Sequence, residues 1–104
     1  MFRIIGRKSY DTEEAETIAQ FMPNGAYEPV PGFRETLYKR GDDDYFLHLE
    51  EWNTAERYII VYDEMEPSFE SIVPMTAEEA IDWCEDRAVD GEIVVEEFNH
   101  LVEA

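Results

Sequence analysis

The sequence predicts an α+β fold: an antiparallel three- to four-stranded sheet with an N-terminal helix and one or two C-terminal helices on one face. Three observations lead there. Residues 34–52, RETLYKRGDDDYFLHLEEW, read as two β-favouring runs joined by turn residues. Residues 58–62, YIIVY, are the strongest β signal in the chain. Thr76-Ala77-Glu78-Glu79 then opens an amphipathic run with helical spacing. A length of 104 residues suits one domain, 1–104.

In chain order, Phe2–Ile5 form a short strand leading to Arg7, Lys8 and Tyr10. A helix starts at Asp11 or Thr12, because Asp11 and Glu14 have capping-box spacing and Ala15, Ile18, Ala19 and Met22 share a helical face. It ends before Pro23, with Asn24-Gly25 supporting the stop. Residues 23–33, PNGAYEPVPGF, read as a loop whose Tyr27 and Phe33 cover one edge of the core. The hairpin follows, with its turn at Gly41–Asp44. Leu47 and Leu49 fall on one face of its second strand, Phe46 and His48 on the other.

The expected strands are 35–40, 45–52, 57–62 and 69–73. Apolar residues on both faces put the third in a central, covered position, and Pro74 ends the fourth. Thr76 caps a helix running to about Ala88. Its apolar arc is Ala77, Ala80, Ile81, Cys84 and Ala88, and its acidic arc Glu78, Glu79, Asp82, Glu85 and Asp86. Asp90-Gly91 breaks it. Ile93-Val94-Val95 would suit a strand, but the spacing of Val94, Phe98, Leu101 and Val102 favours a second helix.

Six Phe, six Tyr and two Trp within 44% hydrophobic content indicate a folded protein rather than an acidic disordered one. No apolar run approaches the roughly 18 residues of a membrane span. The apolar part of the N-terminus is too short for a signal peptide, and the lone Cys84 precludes an intramolecular disulfide. A cytoplasmic location follows as the expectation.

Charge is the most informative property. Residues 1–40 hold six bases and six acids, whereas residues 41–104 hold twenty acids and two bases, Arg57 and Arg87. The total of −18 far exceeds the magnitude of about 2–8 that keeps small domains in solution. Such a chain repels nucleic acid and anionic membranes and attracts basic surfaces, which are mostly the nucleic-acid grooves of other proteins.

Catalytic patterns are lacking. Cys84 lies on an apolar arc and reads as a packed, inert thiol. His48 and His100 have no adjacent ligand pattern for zinc. Asp42-Asp43-Asp44 lacks the spacing and glycine of an EF-hand loop. No enzyme, cofactor or metal is expected.

Three stretches carry a resemblance. They are Lys8-Ser9-Tyr10-Asp11-Thr12 with Ala15 and Ala19; Glu35-Thr36-Leu37-Tyr38-Lys39 leading into Tyr45-Phe46-Leu47-His48; and Ile72-Val73-Pro74-Met75-Thr76-Ala77-Glu78-Glu79-Ala80 with Trp83. Together they resemble a group of small acidic accessory proteins of phages and mobile elements of Gram-positive bacteria. That group usually continues after the His with a Gly-Glu-Gly-Gly turn, where this chain has Leu49-Glu50-Glu51-Trp52. The resemblance implies a setting inside a bacterial host cell. Acidic proteins of this size recur there as inhibitors of host defence, including anti-CRISPR proteins and other DNA mimics.

The expected function is therefore a non-enzymatic DNA mimic that occupies the basic channel of a nucleic-acid-binding protein or effector complex. Asp42, Asp43, Asp44, Glu78, Glu79, Asp82, Glu85 and Asp86 are its expected partner-binding residues. The alternative is an antitoxin-like or regulatory module acting through an aromatic patch of Tyr45, Trp52, Tyr58 and Tyr62.

Overall fold

The computed structural model describes residues 1–22, 27–28, 32–52, 60–61 and 66–103. In chain order the elements are β1 (Phe2–Ile5), β2 (Lys8–Asp11), β3 (Glu16–Phe21), β4 (Tyr27–Glu28), β5 (Gly32–Gly41), β6 (Asp44–Trp52), β7 (Ile60–Val61), β8 (Phe69–Thr76), α1 (Ala77–Asp86) and α2 (Gly91–Phe98), with a closing 3₁₀ turn at Asn99–Leu101. The class is α+β, with antiparallel sheets and two C-terminal helices.

The central sheet has the order β3-β5-β6-β8. Its long β5–β6 hairpin sets Leu37 opposite Leu47, Tyr38 opposite Phe46 and Thr36 opposite His48. Because side chains alternate between faces, this register sorts the sheet into two surfaces. On one, Ala19, Leu37, Tyr45 and Leu47 pack against Ala77, Ala80, Trp83 and Cys84 of α1 and Phe98 of α2. On the other, Phe46 is fully buried, meeting Tyr10 edge-on at 5.3 Å and stacking on Tyr38 at 5.1 Å. The helices and the β1–β2 hairpin that carries Tyr10 thus lie on opposite faces. Full burial of Phe46, Leu37 and Phe98 contributes roughly 1.5–3 kcal/mol for each.

The expected N-terminal helix is not present. Asp11 Oδ1 accepts a hydrogen bond from the Glu13 amide at 2.9 Å, so the acid closes a single turn and not a helix. The chain then extends as β3 along β5, with a register shift between Thr17 and Ala19. That bulge turns the consecutive Ile18 and Ala19 both toward the core. Two adjacent apolar residues on one face imitate helical spacing, which explains the misreading.

The third expected strand also differs. β6 pairs directly with β8, and of residues 57–62 the described Ile60–Val61 pair with Tyr27–Glu28 in a separate two-stranded sheet. The remainder of that segment lies outside the described residues. β8 continues through Pro74 to Thr76. β8 lies at the edge of the central sheet, the position where a strand tolerates proline.

Both helices follow the sequence closely. The Glu79 amide donates to Thr76 Oγ1 at 3.1 Å and the Thr76 amide to Glu79 Oε1 at 3.0 Å, completing the capping box. Asp90 accepts from the Glu92 amide at 2.8 Å and starts α2.

Candidate functional site

The acidic end of the molecule is built by the β6–β8 pairing. Asp44 stands opposite Thr76, so the β5–β6 turn ends where α1 begins. Asp43 and Glu78 consequently line one shallow concavity of about 470 Å³ with Thr76, Ala77, His100 and Leu101. The imidazole Nε2 of His100 lies 3.1 Å from Asp43 Oδ1.

The eight expected partner-binding acids divide into three groups. Asp44 is neutralised by Arg40, whose Nη2 donates to it at 2.6 Å, and Glu79 is held in the helix cap. Asp42 and Asp43 form the exposed tip of the turn. Glu78, Asp82, Glu85 and Asp86 occupy the exposed arc of α1, and no salt bridge among the described residues engages them. Glu85 and Asp86 sit in the last turn, which holds no base. There they face the negative end of the helix dipole, an unfavourable placement of a few tenths of a kcal/mol each.

Three of the six bases of the first 40 residues, Arg34, Lys39 and Arg40, are paired with acids. Arg34 forks onto Glu50 at 2.8 and 3.1 Å, and Lys39 reaches Glu97 of α2 at 2.9 Å. From the later segment, Arg87 and the Trp83 indole N–H both donate to Glu35. The acid excess after Gly41 is therefore concentrated on the helices, where residues 77–103 hold ten acids and one base. Arg3, Arg7 and Lys8 are exposed on the β1–β2 hairpin, but so are Glu13 and Glu14 directly after it. The helical side presents Glu78, Asp82, Glu85 and Asp86 with no base among them.

One polar cluster has no counterpart in the expectations, which gave His48 no partner. Its Nε2 lies 3.0 Å from Glu70 Oε1 and its Nδ1 3.7 Å from Glu50 Oε1. Glu70 of β8 faces Glu50 of β6 directly. The alternation of Phe46, His48, Glu50 and Trp52 was visible, but Glu70 joins them only through the β6–β8 register. The neighbouring Tyr38 hydroxyl is pushed above its ordinary pKa by burial first and by the negative charge of Glu50 second.

His48, Glu50 and Glu70 offer ligand atoms within 4.8 Å of one another. The Arg34 guanidinium already pairs with Glu50 of this cluster. His48 is only 7% exposed, which gives a substrate little access. Cys84 is fully buried, and burial, aided by Glu85, raises its thiol pKa to about 11. Tyr45 and Trp52, half of the alternative aromatic patch, are core residues. Tyr58 and Tyr62 lie outside the described residues.

No family model matches the chain, and no curated protein or solved structure matches it significantly. Among the described residues no helix is long and apolar enough to cross a membrane.

Proposed function

We propose that this chain is a non-enzymatic acidic inhibitor of the DNA-mimic kind. It binds the basic nucleic-acid channel of a host defence complex, such as a CRISPR–Cas effector in the cytoplasm of a bacterial cell, and keeps target DNA out. The observation that carries this reading is the exposed arc Glu78, Asp82, Glu85 and Asp86, free of salt bridges among the described residues and adjoining the Asp42–Asp43 turn. Residues four apart on a helix rise about 6 Å, against ~3.4 Å between phosphates on one DNA strand. The row is sparser than DNA, and the turn extends it at one end. The close acids repel one another, a cost that a basic partner relieves. The resemblance to phage accessory proteins supplies the cellular setting.

The test is a pull-down from host lysate at rising salt, followed by DNA binding of the captured complex. The wild-type chain is expected to capture a nucleic-acid-binding complex at low salt, release it steeply as salt rises, and inhibit its DNA binding. The folded quadruple variant Glu78→Lys, Asp82→Lys, Glu85→Lys, Asp86→Lys is expected to lose that inhibition. Undiminished inhibition by the variant would falsify the mimicry site.

A further inference from the structure

An apolar groove borders the acidic arc of α1 at Glu85. A cleft of about 640 Å³ runs between α1 and α2 and the following turn, floored by Ile81, Val94, Val95, Leu101 and Val102. Two carboxylates, Glu85 and Glu103, line the same cleft. Val95 and Val102 are 49% and 37% exposed. Water-facing valines gain nothing by lying open between two helices, and a groove of this size falls in the range that seats ligand side chains.

From this geometry we infer that the groove docks an amphipathic basic helix of the partner protein. One apolar row of that helix enters the cleft, and flanking Lys or Arg side chains meet Glu85 and Glu103. Charge complementarity selects this occupant. A second copy of the chain would bring another strongly acidic surface against these carboxylates, and an acidic or neutral helix would leave them unpaired. The assignment deepens the proposed function and rests on its premise of a basic partner. It adds that the contact has an apolar anchor, which a purely DNA-like surface lacks.

The experiment uses the full chain and two synthetic helical peptides of equal charge. One carries Leu along a single face among Lys residues, and the other carries Gln at the same positions. Binding is read by fluorescence anisotropy and by amide shift changes around Val94, Val95 and Leu101. The Leu peptide is expected to bind at least about tenfold tighter, the gain of burying one or two apolar side chains. The variant Val95→Ser, Val102→Ser alters exposed positions and should retain its circular dichroism spectrum while losing that preference. Equal binding of the two peptides overturns the groove assignment and leaves the charge-driven reading standing. Failure of both peptides to bind at low salt overturns the groove and undercuts the basic-partner premise with it. A peptide-free dimer in sedimentation that dissociates on the double substitution also overturns the assignment, because the occupant is then a second copy.

Discussion

Glu35 and Cys84 show how a side chain's role depends on what the fold places beside it. Glu35 is one acid among twenty-six in the sequence, with nothing local to distinguish it. In the fold it is nearly buried and receives both the Arg87 fork and the Trp83 indole, fastening α1 across the sheet. Its partners lie about fifty residues away, so no local pattern could reveal them. His48 was hidden for the same reason: its carboxylates become neighbours only through strand register. Cys84 was legible because its position on an apolar helical arc sufficed. Burial pushes its thiol pKa up to about 11, above the ordinary value of 9.0. The folded state therefore holds this proton more tightly than the unfolded chain. The corresponding stability is fully present below pH 9 and is lost as pH rises toward 11. Urea titrations between pH 9 and 10 are expected to show stability falling by about 1 kcal/mol per pH unit from this group. Cys84→Ala should flatten that slope, and an unchanged slope would assign the effect elsewhere.

Among the elements, those specified by local signals were readable. The Thr76–Glu79 capping box, the β5–β6 hairpin and the spacing of Val94, Phe98 and Leu101 each predicted an element that the structure contains. β3 was not readable, because its bulge places Ile18 and Ala19 on one face and disguises a period of two as a helical one. Of the strong YIIVY run, the described Ile60–Val61 pair outside the central sheet, since β propensity identifies a strand but not its neighbour. The exit of α1 yields a direct prediction. Ala88 closes the helix with φ of 52°, a left-handed conformation usually filled by glycine. Ala88→Gly is expected to raise stability by about 1 kcal/mol. Chemical denaturation measures it, and a destabilised variant would show that the turn does not need that freedom.

At the scale of the whole molecule, the sequence revealed the total charge but not its distribution. Arg34, Lys39 and Arg40 had suggested a neutral N-terminal half, yet each is consumed by an acid across the hairpin or on α2. What remains is a helical surface whose carboxylates face one another without intervening bases. Added sodium chloride screens that repulsion over about 10 Å at 0.1 M. The melting temperature of the isolated chain is therefore expected to rise between 10 and 300 mM salt. A fall would mean that the internal ion pairs outweigh the surface repulsion.

The placement of the β1–β2 hairpin behind the sheet has a kinetic consequence. The molecule measures only 17 Å along its shortest axis, with Arg3, Arg7 and Lys8 on the side away from the helices. Residues 1–16 hold three bases and four acids, whereas residues 77–103 hold ten acids and one base. So uneven a spread of charge across a thin body forms an electric dipole. The field of a basic partner of the kind proposed would exert a torque on that dipole before contact. On the proposed function, the chain would turn helices-first during approach, so that a larger share of its collisions would begin in a productive orientation.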